Sequence, residues 1–475
     1  MRPAVVASAL GISLGAAILA LVVVDGGQRL LYTIFLLEVF LVPIVSILAS
    51  RISRAELDVA SPFVLIPITI GIVFGGAPPL LISAGLDDSA YHVTWALSVG
   101  MAAYYIGASL VAVRLGVTLP TMAQRALEVR QLRSSVLYGT FAIGVLAMMT
   151  YWMRAGGIPI LAADLENARL SALTGSGVPF YLTFLMMVAF WLALSPGSSV
   201  PVRVRWILFA LTVLLLLSTG WRNTVFAFIV LTLLIRHYTS PIKTRTIMMA
   251  GVVAVLGAVA IGLYRVKSSN LINYQTYQLM ASSDYVGATQ VYLTTYFDAF
   301  ARNMSTAMAV VPALLPFQNG KTLVWNFLTL FPNGESEPFD FVLKQAAGEG
   351  FAGGGLPPTM VGEFYVNFGN TGIFVGMLAV GLVAAICHAM IRSTTSYTAM
   401  ITGLIGAYYL FVAVRGGLGN VTLTVAWLVL ATLIVSRLAG RQPVEHSSQA
   451  FSASPPASHG SRVREREEWN VQASS

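Results

Sequence analysis

The chain has 475 residues but only one cysteine, Cys387, and five histidines scattered singly along its length. A single thiol excludes an internal disulfide framework and a thiolate metal cluster, and the dispersed histidines argue against a zinc centre. Charge is scarce too. Asp, Glu, Lys and Arg together make up 10% of the chain, and the acidic residues number 20. An ordinary soluble chain carries about a quarter of its residues charged, so that class is excluded. No soluble domain is visible, because the only long polar segments are the loop after Arg265 and the tail after Arg437. No external Asp-x-Asp metal motif occurs, and the acidic pair Asp87-Asp88 reads as a solvated turn. No cofactor is expected.

What is abundant is apolar sequence. Hydrophobic residues make up 56% of the chain and mean hydropathy is +0.77. Apolar runs long enough to cross a bilayer recur along most of the length. They predict helices near 4–24, 30–49, 62–84, 93–113, 136–153, 178–195, 206–219, 223–236, 247–264, 371–391, 398–414 and 419–436. The expected fold is therefore an all-α polytopic integral membrane protein with about twelve transmembrane helices. The first run is long for a signal sequence and is succeeded by further spans, so it is read as a retained helix. A net charge of +8 and a pI near 9.6 reflect basic cytoplasmic turns rather than nucleic-acid binding. With both termini inside, most of the 28 basic residues, including the cluster 125-RALEVRQLR-133, fall on the cytoplasmic side. Residues 1–440 then form one transmembrane domain with external loops near 154–177 and 265–370. The Ser/Pro-rich segment 441–475 is expected to be a disordered cytoplasmic tail.

In the run 206-WILFALTVLLLLSTGWRNTVFAFIVLTLLIRHY-238, Arg222 interrupts two apolar halves. A charge within hydrocarbon costs about 2.5–3.5 kcal/mol on insertion scales and calls for a task. Basic residues at both ends of the run make 218-STGWRN-223 an outer turn between two short helices. Arg222 then either lines a cavity open to the outside or snorkels to the headgroups beside Trp221. Arg154, Arg265 and Arg415 likewise stand at outer helix ends. Guanidinium groups gathered at the mouth of a helical bundle suit a diphosphate, which they bind through paired hydrogen bonds while staying charged.

The first external loop contains Gly-Gly-Ile-Pro and then 164-DLENARLSAL-173, an expected short amphipathic helix in which Asp164, Glu166 and Arg169 lie close together. A bracing salt bridge and a functional cluster are both open readings of that trio. The second contains an amphipathic helical stretch, 285–317, expected to lie on the membrane or cap the bundle. It is followed by 348-GEGFAGGGLPPTMVGEFYVNFGNTGIFVGMLAVGL-382. There a compact Gly/Pro turn precedes a helix that begins near Pro358 and carries Glu363, Tyr365 and Asn367, with a break at Asn-Phe-Gly. The later glycines of this segment are expected to serve close helix packing.

The order of three segments resembles bacterial oligosaccharide repeat-unit polymerases, the O-antigen polymerases of the Wzy type. These are GGIPIL-x-x-D-x-E-x-x-R over 156–169, STGWRN between two short helices, and GGGLPPTMVGEFYVNFGNTGIFVGM before the last spans. Many relatives carry Ser-Arg-Gly-like residues in the short-helix turn, where this chain has Gly220-Trp221-Arg222-Asn223. The resemblance implies a GT-C-like bundle in the bacterial cytoplasmic membrane acting as a metal-independent glycosyltransferase. It would move a growing glycan from one undecaprenyl diphosphate to the terminal sugar of another lipid-linked repeat unit at the outer face. The implied partners are that lipid-linked oligosaccharide as donor and acceptor, the bilayer, and a chain-length regulator or flippase.

In such a reaction the leaving diphosphate must be stabilised in place, a role expected of Arg222 and Arg265 with Arg415 opposite. Glu363 is the expected base or orienting acceptor for the attacking hydroxyl. Arg154, Asp164, Arg169, Arg302, Tyr365 and Asn367 are expected to contact substrate. Three other readings stand beside this one: a ligase using the same donor, a lipid-linked sugar transporter, and a purely structural membrane protein. No inverted repeat favours the transporter. Glu38, a lone carboxyl inside the second span, is expected to pair with an arginine or hold a proton.

Overall fold

The computed structural model describes residues 27–45, 60–114, 131–162, 177–240, 274–328, 338–350, 354–392 and 395–440, with single residues or pairs between 242 and 266. The expected span 4–24 and the tail 441–475 lie outside the described residues, and 247–264 is described only in part. Every regular element among the described residues is helical. Helix α1 covers Gln28–Val45 and α2 covers Leu65–Ser83, with a break at Gly75 and Gly76. Then come α3 (Asp87–Arg114), α4 (Ser134–Arg154) and α5 (Gly177–Ala193). Two helices, α6 (Val202–Ser218) and α7 (Arg222–Thr239), flank the Arg222 turn. Seven helices in the described residues are long and apolar enough to cross a membrane. The chain is a multi-pass membrane protein.

Helices α6 and α7 are longer than their apolar runs predict. With 17 and 18 residues they extend about 26 and 27 Å, against roughly 21 Å expected for each half. The extra residues include Arg203, Arg205, Arg222 and His237. Helical hydrogen bonding continues through these polar residues. Arg205 at one such end donates to the carbonyls of Val200 and Ser198, at 2.9 and 3.2 Å.

The expected second loop is itself helical: α8 (Tyr274–Ala281), α9 (Tyr285–Val310), α10 (Lys321–Leu328) and α11 (Phe339–Ala346). Asp284 caps α9 by accepting from the Gly287 amide at 2.9 Å. The 26-residue α9 packs against α2, α3 and the long helix α12 (Thr359–Arg392). It is therefore part of the bundle wall. Helices α13 (Tyr397–Gly416) and α14 (Gly419–Ala439) complete the fold.

Helix α12 is the central post, packed along α3 and α13. A Cβ on Gly381 would overlap the Tyr104 carbonyl oxygen, and one on Gly107 would overlap the Leu378 carbonyl oxygen. Lipid tails are as apolar as the side chains, so burial alone does not drive helix pairing. Close backbone approach through small residues supplies the contact. At Gly369, φ is 64° and ψ is −152°, a region open essentially to glycine. This is the Asn-Phe-Gly break, and it separates Thr359–Phe368 from the spanning part of α12.

Glu38 lies in a π-helical turn, Leu37–Leu41, and is 1% exposed. Among the described residues neither of its carboxyl oxygens has a hydrogen-bond partner, and no arginine pairs with it.

Candidate active site

Two of the predicted arginines meet at one cavity. The chain leaves α6 through Ser218, whose Oγ accepts from the Trp152 indole at 3.0 Å. It reverses at Gly220, where φ is 74°, and enters α7 with Arg222 as its first residue. Arg415 stands in the last turn of α13. Both half-buried guanidinium side chains line a half-open cavity of about 560 Å³ between α2, α7, α9 and α13. The rest of the wall is almost wholly apolar, with Phe226, Val230, Phe297 and Phe411 among its residues. Along α7 the lining runs from Arg222 to Leu234, about 18 Å of helix axis. The cavity is thus a long apolar slot with positive charge at one end.

The electrostatics of that end are one-sided. No carboxylate lines the cavity among the described residues, and neither Arg222 nor Arg415 is ion-paired there. The first turn of a helix is its positive end, so a cation at that position is unfavourable by itself. Arg222 and the positive end of α7 both favour an anion. Arg415 lies over the rings of Tyr296 and Phe300, 5.7 and 5.8 Å from their centroids, and donates a hydrogen bond to the Tyr296 hydroxyl. These contacts orient the guanidinium and leave its charge unneutralised.

Glu363 is placed beside this cavity rather than in it. It is 3% exposed, and its carboxylate accepts from the Leu418 amide and, at 3.1 Å, from the Gly419 amide. A further hydrogen bond links it to Thr322. Glu363 thereby caps α14 and fixes the turn 416-GGLG-419 that directly follows Arg415. The glycines of that turn admit the carboxylate, since a Cβ on Gly417 or Gly419 would stand 2.8 or 2.7 Å from its oxygens.

Asn367 braces the same region. Its amide nitrogen donates to Thr322 Oγ1 at 2.6 Å and to the Glu363 carbonyl at 2.8 Å, and its amide oxygen accepts from Gly320 at 2.7 Å. Tyr365 faces away from this cluster, packs edge-on against Phe317, and lines a second cavity. Arg302 is exposed and paired with Asp298 at 2.6 Å, one turn apart on α9. Arg154 is exposed in the last turn of α4, two residues after Trp152, and does not line the arginine cavity. Asp164, Arg169 and Arg265 lie outside the described residues.

Four residues that sequence reasoning did not single out belong to the site. Tyr296 holds Arg415, Asn223 lines the arginine cavity, Thr322 joins Glu363 to Asn367, and Asp340 on α11 shares a small space with Glu363 and Trp325. Burial pushes the Asp340 carboxyl up to about 6, and among the described residues its Oδ1 has no hydrogen-bond partner. Asn223 alone of the four sits in a turn that the sequence marks, 218-STGWRN-223. Among the described residues no three His, Cys, Asp or Glu side chains are grouped to hold a metal ion.

A helical membrane bundle with a charged, carboxylate-free slot narrows the choice of family, and a comparison of the whole chain decides it. Residues 58–426 match the family model described as "Putative O-antigen polymerase". The chain belongs to the O-antigen polymerase family. Membership makes it a glycosyltransferase-like membrane polymerase of oligosaccharide repeat units, with a lipid-linked oligosaccharide as substrate. The matched segment contains Arg222, Glu363 and Arg415. No curated protein and no solved structure matches the chain.

Proposed function

We propose that the chain polymerises undecaprenyl-diphosphate-linked repeat units at the outer face of the cytoplasmic membrane, with both termini inside. The observation that carries this reading is the shared cavity of Arg222 and Arg415. A polyprenyl diphosphate has the same polarity, with a long apolar tail ending in a concentrated negative charge. The tail lies along α7 and α13, and the diphosphate sits between the two guanidinium groups.

As the glycosidic bond to the diphosphate breaks, charge builds on the leaving oxygen. Preorganised donors aimed at that charge lower the barrier, and two fixed guanidinium groups supply them without a metal ion. Arg265, Arg154 and Arg169 are proposed to contact the same substrate. Glu363 acts as a positioning residue for the Arg415 turn, because its oxygens already accept backbone amides. Asn367 supports it, while Tyr365 faces the sugar side.

The test is a deletion strain complemented with wild type, Arg222→Ala or Arg415→Ala, with the surface polysaccharide resolved by length and membrane expression checked. A ladder from wild type alone, over single repeat units in the deletion, supports the reading. Lipid-linked polymer accumulating beside undecorated core would indicate a ligase, and lipid-linked units retained at the inner face a transporter.

A further inference from the structure

The second cavity, about 420 Å³ in volume, is built differently from the arginine slot. It opens between the N-terminal turns of α3, the C-terminal part of α9 and the region of α12 around its Gly369 break. Three aromatic side chains, Tyr91, Trp95 and Tyr365, contribute to its wall, and all three are half-buried. Between them stand Asp88, His92 and Asn370, which are exposed and offer hydrogen-bond acceptors and donors. The Tyr91 and His92 rings are 5.7 Å apart in an edge-to-face arrangement. No arginine or lysine lines the cavity among the described residues.

We infer that this cavity is a saccharide-binding site for the oligosaccharide carried by the lipid substrate. Flat aromatic faces suit the apolar C–H faces of sugar rings, while a carboxylate, an imidazole and an amide satisfy ring hydroxyls. A diphosphate has no counterpart there, and a lipid tail would bury those polar groups without partners. The volume falls within the range of about 300–1,000 Å³ typical of ligand sites.

Helix α9 connects this site to the arginine slot. Tyr296 faces the slot and Ser305 the second cavity, about 14 Å apart along the helix. One substrate can therefore keep its diphosphate at Arg222 and Arg415 while sugars occupy the second cavity, or the two cavities can hold donor and acceptor separately. This inference rests on the polymerase reading for the identity of the sugar.

The probe is tritium-labelled oligosaccharide released by mild acid from the producing cell's own surface polysaccharide, as single repeat units and as longer fragments. Binding is measured by equilibrium dialysis against the full-length protein in detergent. Wild type should bind saturably, and the double variant Asp88→Ala/Asn370→Ala should bind about tenfold more weakly or worse. Both residues are exposed, so the double variant should retain the wild-type melting temperature. Tyr365→Ala provides a second, independent weakening.

Equal binding by single units and longer fragments places the acceptor in the cavity, and a strong preference for longer fragments places the growing chain there. Either result supports the site. Non-saturable binding to wild type, or undiminished affinity in both variants, overturns it. The polymerase reading fails separately, through an unchanged polysaccharide ladder in the deletion strain.

Discussion

Glu363 and Gly419, 56 positions apart, are joined by hydrogen bonds from the Gly419 amide to both carboxylate oxygens of Glu363 at 3.1 Å. The contact ties α12 to the start of α14 and holds the turn that leaves Arg415 at the cavity. An acidic side chain at a helix N-terminus is also favoured by the helix dipole.

This arrangement predicts a graded response at Glu363. Glu363→Gln keeps one oxygen for the backbone amides and should retain part of the polymerising activity. Glu363→Ala leaves two buried amides unpaired, at about 1–3 kcal/mol each, and should lower both the melting temperature and polymer yield. A general base would instead be lost equally in both variants. Polysaccharide ladders and thermal unfolding in detergent, measured on the same preparations, separate the two roles.

Arg222→Lys and Arg415→Lys should each reduce polymer formation by about tenfold or more. Lysine keeps the charge but loses the planar fork that grips a diphosphate at two points. Initial rates with lipid-linked repeat units would show it, and wild-type rates in both variants would mean that charge alone suffices.

Tyr296→Phe removes the hydroxyl that accepts from Arg415 but keeps the ring beneath it. A modest loss of activity is expected there, and a larger one in Tyr296→Ala, where the ring contact also goes. The order of the two variants in initial rate is the readout.

Asp340 predicts a pH dependence. Its carboxyl titrates at about 6 in the folded chain, against 3.8 for the free group. Between those values the folded chain binds a proton that the unfolded chain has released. Its contribution to stability is therefore complete below about pH 4, and is lost as the pH rises through 6. Hydrogen exchange of residues 339–347 should quicken between pH 5 and pH 7.5 in wild type, at equal intrinsic rates. Asp340→Asn should remove that slope. A slope unchanged in Asp340→Asn would assign it to another group.

The membrane class and most helices were legible from apolar runs, because hydrocarbon-length segments leave few alternatives. Arg222 was legible from the cost of a charge in such a run, and Arg415 from its place at a helix end. Their meeting at one cavity was not, since it depends on how α7 and α13 pack. Tyr296 stayed hidden because α9 shows amphipathic periodicity without marking which face meets Arg415. Glu363 was visible as a carboxylate at the entry to an apolar helix. Its backbone partners come from a turn more than fifty residues later. Helices α6 and α7 run past their apolar runs because hydropathy falls at polar residues such as Arg205 and His237 and helical hydrogen bonding does not.

The proposed hold of Arg222 and Arg415 on the leaving diphosphate is read out by single-turnover transfer from synthetic undecaprenyl-diphosphate-linked repeat units by purified protein. Wild type should transfer, and Arg222→Ala and Arg415→Ala should each slow the step about a hundredfold or more, with folding confirmed by unchanged melting. Transfer at the wild-type rate by either folded alanine variant would exclude that arginine from the role.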